Sequence, residues 1–211
     1  MIVRLLVAGV SALAGIMVLG GCWAEDEPQS GHKVSVDAVR QAATQFDPAR
    51  CPIRLDLSAA LRSVAVDRPA QLDSASAEVS KSEKPADDPV TAQQNGLPPL
   101  EAVAAAYVEC DYRVGEDKLG IRLTATRAPA AVSLLAPQIA RDAHLTLQDL
   151  HGFLDSPPGA GQVKVAGGTV AAGGVAADGG DVAVLVSSTV PELHDDTLST
   201  FTAELINQVA F

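Results

Sequence analysis

Apolar positions along this chain change their spacing several times, and each change marks a different kind of segment. From Leu5 to Gly21 no residue is charged, and Glu25, Asp26 and Glu27 then end the greasy run abruptly. Val36, Val39, Ala43 and Phe46 recur at helical spacing, and Asp47-Pro48 closes that stretch. In "CPIRLDLSAALRSV", Asp56 stands where it can cap a helix over Leu57–Val64. Val108, Cys110 and Tyr112 alternate with Glu109, Asp111 and Arg113, as Ile121, Leu123 and Ala125 do with Arg122, Thr124 and Thr126. That period of two predicts strands covered on one face, joined by a hairpin turn in "GEDKLG". Cys110 would then face inward with Val108 and Tyr112.

Val132, Leu135, Ile139 and Ala143 form one stripe of a mainly helical stretch, in which Pro137 requires an early turn or a kink. Residues 145–150 fit either a continued helix or the start of a strand. Gly167-Gly168, Gly173-Gly174 and Gly179-Gly180 recur every six residues. Three pairs are too few for a solenoid, and no phosphate-binding glycine motif is present. Strand, bulge, strand is the simpler reading, with "DGGD" turning into a buried strand over 182–188. Leu198, Phe201, Leu205 and Val209 mark a C-terminal helix that Asp195 or Asp196 can cap. The sum predicts an α+β domain over 36–211: an antiparallel sheet of at least four strands with helices packed on one face. Residues 67–99, rich in Pro, Ser, Ala and mixed charge, read as a disordered insertion in it, because so few branched apolar side chains cannot offset ordering entropy.

The N-terminal run has the parts of an export signal: Arg4 in a short positive end, an apolar stretch, and small residues at a cut point. Leu19-Gly20-Gly21-Cys22 resembles a bacterial lipobox. The resemblance implies a lipoprotein signal peptide over 1–21, removal of it, and acylation of Cys22 as the first mature residue. Residues 22–35 would be a polar tether, and the domain would sit at the extracytoplasmic face of the cell membrane. Two or three acyl chains hold firmly where one is marginal, since each buried CH₂ contributes about 0.8 kcal/mol. An ordinary signal peptide cut elsewhere and an uncleaved apolar helix are the alternatives.

Cysteine arithmetic bears on that choice. Of three cysteines, committing Cys22 to lipid leaves Cys51 and Cys110 as a pair, and such a pair outside the cytoplasm is usually oxidised. Two buried free thiols are the alternative; there is no CxxC or neighbouring His for a metal site. A formal net charge of −11, without a Lys/Arg cluster, excludes the basic footprint that nucleic acid demands. It equally disfavours docking on anionic lipid through a polybasic patch.

Catalytic signatures are absent: no GxSxG, HExxH or partnered SxxK is found. His144 and His151 share a face only in a continuous helix, and His194-Asp195-Asp196 is explained by charge at a helix start. With aromatics at 3 %, stacking platforms are unsupported too. No enzyme, cofactor or metal is therefore expected. The reading is an envelope lipoprotein acting as a non-catalytic interaction or accessory module, its partners the membrane through Cys22 and an envelope protein. The alternative is a carrier or sensor for a small apolar ligand held between the small-residue sheet (163–188) and the C-terminal helix.

A looser resemblance covers residues 47–211. "DPARCPIRLDLSAALRSV", "VECDYRV", the Gly-rich stretch before "DVAVLVSS" and the amphipathic end are similar to uncharacterised actinobacterial lipoproteins. Those pair a cysteine before the first short helix with a second in a Cys-x-aromatic strand, here Cys110 and Tyr112. What this implies is fold and location, since the family carries no assigned activity.

Overall fold

The computed structural model describes residues 33–211. The expected signal peptide, Cys22 and most of the expected tether lie outside the described residues. In chain order the elements are β1 (Val34–Ser35), α1 (Val36–Thr44), α2 (Leu57–Ser63), β2 (Ala70–Val79), α3 (Pro89–Gln94), α4 (Pro99–Ala102), β3 (Ala106–Val114) and β4 (Asp117–Thr126). Then follow α5 (Ala131–Leu134), α6 (Ala136–Asp142), α7 (Leu147–Leu154), β5 (Val163–Ala166), β6 (Val170–Val175), β7 (Ala177–Asp178), β8 (Asp181–Ser188) and α8 (Asp195–Gln208). Six strands form one antiparallel sheet in the order β2-β3-β4-β8-β6-β5, while β1 pairs in parallel with β7. The fold is α+β, as the patterning implies.

Local chemistry explains most boundaries. The Asp56 carboxylate accepts from the Ala59 N–H at 2.8 Å, capping α2 where the sequence places the cap. Pro137 sits in the first turn of α6, so the apolar stripe over 131–143 is split into two short helices rather than one kinked helix. Thr146 caps α7, which settles 147–154 as helix. β3 and β4 meet through the two-residue turn Gly115-Glu116, tighter than "GEDKLG" suggested, with Gly115 at φ +67°. At α8 neither Asp195 nor Asp196 is the cap: both lie in the first turn after His194. The Asp195 N–H instead donates to the Gly168 carbonyl at 2.9 Å and ties the helix start to the β5–β6 turn.

Three expectations are corrected. Helices cover both faces of the sheet, not one. Side chains at 121, 123, 182, 184 and 186 pack with α1, α2 and α8, whereas Ala172, Ala183 and Leu185 pack with the stripe of α5 and α6 and with Phe153 of α7. Neighbouring residues of one strand point to opposite faces, so these are two separate cores. Second, residues 67–99 are not a disordered insertion. β2 pairs along β3 from Ala70 to Val79 as an edge strand, and α3 starts at Pro89 behind its cap Asp88. The missing apolar surface is replaced by backbone ladder and by polar clamps. Arg40 of α1, 7 % exposed, donates to the carbonyls of Ala104, Ala105, Ser80 and Ser82. Glu101 accepts from the Ser80 hydroxyl and the Lys81 and Ser82 N–H groups. Third, the polar tether stops short of residue 35, because Val34 is 3 % exposed and its N–H donates to the Ala176 carbonyl at 2.8 Å.

The glycine pair inside β6 has a packing reason. A Cβ at Gly173 would stand 2.9 Å from Ile206 of α8, and one at Gly174 would stand 2.3 Å from the Gly159 carbonyl oxygen. Backbone cannot retreat as a side-chain tip can. Gly174→Ala is expected to destabilise the fold by about 1–3 kcal/mol in urea unfolding. Gly152→Ala on the exposed side of α7, where a Cβ meets nothing within 4 Å, is expected to stabilise it by up to about 1 kcal/mol.

Candidate functional site

Cys51 and Cys110 are joined in a disulfide across 59 residues of sequence, with their Cα atoms 5.7 Å apart. Cys110 lies fully buried on β3, facing the same core as Val108, and Cys51 approaches from the segment leading into α2. The described histidines are not brought together. His144, His151 and His194 are all exposed; the last two contact only neighbouring acids, Asp155 at 2.9 Å and Asp195 at 3.4 Å. Among the described residues no three His, Cys, Asp or Glu side chains are grouped to hold a metal ion, and no helix is long and apolar enough to cross a membrane. Between β6 and α8, where small residues suggested a ligand cavity, the layers touch through Gly173 and Ile206. A hollow of about 200 Å³ remains at one end, beside Gly161, Gly174 and Ile206.

Polar chemistry gathers elsewhere, on the face of β4 under α6. Every residue of β4 from Leu119 to Thr126 is buried, so the polar half of its alternation faces protein rather than water. Arg122 is 8 % exposed. Its Nε donates to Glu109 of β3 at 2.7 Å, and its Nη1 donates to Asp142 of α6 at 3.0 Å and to the Ser187 hydroxyl of β8 at 2.9 Å. Tyr107 donates its hydroxyl to the other oxygen of Glu109 at 3.2 Å, and Arg141 donates to Asp142 at 3.0 Å. Beside these bonds Arg122 also borders an open space.

That space is a cleft of about 280 Å³. Its floor runs across three paired strands in register: Asp111 on β3, Gly120 on β4 and Ser187 on β8. Asp142, Thr169 and the Ser188-Thr189 end of β8 form the walls, and Lys118 stands at the rim. Gly120 is what leaves the floor open. A Cβ there would sit 2.9 Å from Ser187 Oγ and 3.3 Å from both Arg122 Nη1 and Asp111 Oδ1.

Electrostatics in the cluster are dominated by burial and pairing. Burial alone would lower the Arg122 pKa, but the facing carboxylates of Glu109 and Asp142 outweigh it and raise it above the ordinary arginine value. Tyr107 is raised well above its usual value, first by burial and then by the Glu109 charge. Tyr112, on the opposite face of β3 beside the disulfide, is pushed up to about 12 by burial. A guanidinium held by two carboxylates on different elements is a rigid, preoriented donor.

The sequence reading passed over all of these residues because it assigned Arg122, Glu109 and Asp111 to a solvated sheet face. The signal against that lay in the apolar stripe of 132–143, which needs a sheet face of its own to cover. No known family model matches the chain, and neither a curated protein nor a solved structure resembles it significantly. Fold and site together define an α+β domain with a six-stranded antiparallel sheet and a charged cleft over its central strand.

Removing the guanidinium strands two carboxylates. Arg122→Ala is expected to cost about 3–5 kcal/mol in urea unfolding, whereas Arg122→Met combined with Glu109→Gln and Asp142→Asn recovers most of it. Both tyrosines of the chain are partly buried and their pKa values are raised, so in alkaline titration the folded protein should show almost no phenolate absorbance at about pH 10.5, while urea-unfolded chain is half ionised near 10. Raised folded values mean that this stabilisation is full below pH 10 and is lost as pH climbs from 10 through 12.

Proposed function

We propose that the chain is an envelope lipoprotein held at the extracytoplasmic face of the cell membrane through acylated Cys22, serving as a non-catalytic interaction or accessory module. The observation that carries this reading is the Cys51–Cys110 disulfide. Disulfides persist where thiols are not continually reduced, which points to an exported domain. Closing that pair leaves Cys22 as the one cysteine of three outside a bridge, at the end of the uncharged run from Leu5 to Gly21. Its thiol is the nucleophile that would take the diacylglyceryl group, and cleavage before it would free the amine for a further chain.

Charge is consistent with an anchor of this kind. A chain of net charge −11 gains nothing from an anionic membrane surface, so acyl chains rather than basic residues must hold it there. The carrier reading, with a small apolar ligand between β6 and α8, is weaker because the layers touch through Gly173 and Ile206 and leave a hollow of about 200 Å³ at one end.

The test is the intact mass of the protein extracted from membranes. A chain beginning at Cys22 and carrying two or three acyl groups is expected, and Cys22→Ala should yield unprocessed, unacylated protein. An unmodified Cys22, or retention of residues 1–21 in the parent chain, would overturn the reading.

A further inference from the structure

The cleft over β4 plays no part in membrane anchoring, yet its lining is selective. Two carboxylates, Asp111 and Asp142, stand against two cations, Lys118 and Arg122, and the remaining side chains are hydroxyls. No branched apolar or aromatic side chain lines it, so its charged and hydroxyl groups must decide what it holds. Arg122 and Asp142 are largely spent on each other and on Glu109, Ser187 and Arg141.

Asp111 and Lys118 differ from that pair. Asp111 Oδ2 accepts from the Ser74 hydroxyl at 3.0 Å, while Oδ1 lies over the open floor at Gly120. The Lys118 ammonium takes part in no ion pair among the described residues; only its backbone is tied, through the N–H donated to Thr189 Oγ1 at 2.9 Å. Ladder register places the two diagonally, Asp111 opposite Gly120 and Lys118 opposite Arg113, yet they form no bond with each other. Opposite charges therefore flank one cavity without neutralising one another. A purely anionic ligand would meet Asp111 and Asp142, and a purely cationic one would meet Lys118 and Arg122. A molecule carrying both signs a few ångströms apart meets complementary groups at each end.

Size narrows the class. A cleft of about 280 Å³ lies just below the span of roughly 300–1,000 Å³ that suits drug-sized ligands. We propose that this cleft binds a small zwitterion of the α-amino acid or dipeptide class. Its carboxylate is received by Lys118 on the side where Arg122 adds positive charge, its ammonium by Asp111, and its polar groups by the Ser187 and Thr169 hydroxyls. Glu109 and Asp142 are positioning residues that hold the Arg122 plane. Gly120 keeps the floor clear, because any Cβ there would press on Ser187 Oγ at 2.9 Å.

Isothermal titration calorimetry on the full chain in detergent tests this, with L-serine, L-glutamine and L-alanyl-L-alanine as probes. N-acetyl-L-serine, which lacks the ammonium, and L-serinamide, which lacks the carboxylate, are the paired controls. At least one zwitterion should bind saturably, and serine should bind about tenfold or more tightly than either blocked form if it is the one that binds. Asp111→Asn and Lys118→Gln, both outside the apolar cores, should each weaken the binding zwitterion about tenfold while leaving the unfolding temperature in place. No binding by any of the three probes would overturn the proposal. So would equal binding of a blocked form, or unchanged affinity in both variants. None of these outcomes depends on whether Cys22 is acylated, so the two readings fail separately.

Discussion

A strand buried on both faces must find partners for its polar side chains within the protein, and β4 is such a strand from Leu119 onward, with the Thr124 hydroxyl alone on it left without one. Its apolar half, Leu119, Ile121, Leu123 and Ala125, enters the core under α1, α2 and α8. Its other half presents Arg122, Thr124 and Thr126 to the layer formed by α5, α6 and α7. Thr126 donates to the Ala128 carbonyl, and the neighbouring Asp181 accepts from the Ala131 N–H at 2.9 Å to start α5. Arg122 draws Glu109 from β3, Asp142 from α6 and Ser187 from β8, so one guanidinium fixes the relative placement of two neighbouring strands and a helix. Replacing such a cluster by hydrophobic residues is often neutral or stabilising, so what the cluster contributes here is fixed geometry more than net stability.

The other half of the molecule is held by different physics. β2 contributes small or modest apolar side chains, Leu72, Ala75, Ala77 and Val79, which pack against the first core. What fixes it is the ladder to β3, together with Arg40 reaching across to carbonyls at both 80–82 and 104–105. The disulfide pins β3 from below, on the same face. Composition alone therefore misjudges the segment: backbone hydrogen bonds and a buried arginine order a stretch whose side chains bury little.

Helices with caps and strands with alternation were legible in the sequence at the level of single elements. Asp56 before α2, the stripe of α8 and the inward set Val108, Cys110 and Tyr112 are local patterns, and local patterns survive into the fold. The pairing of Cys51 with Cys110 was legible as well, though only through counting. Layer assignment was not, because period-two alternation looks alike whether the polar side faces water or a second layer of helices. The same ambiguity hid the cleft. Arg122, Asp142 and Ser187 are far apart in sequence and belong to no motif, so proximity through the sheet register is what makes them a group.

β1 gives the domain a mechanical property. The chain enters at Val34 and Ser35, which run parallel to Ala177 and Asp178, and Val34 and Val36 are both sunk in the core at once. A pull directed along the strand axis would load the bonds of that short pair together in shear instead of peeling them apart singly. Behind it, Arg40 on α1 is bolted to the carbonyls of two distant loops. A pull along β1 would thus be passed into the domain at several points, so that this edge acts as a strain relief.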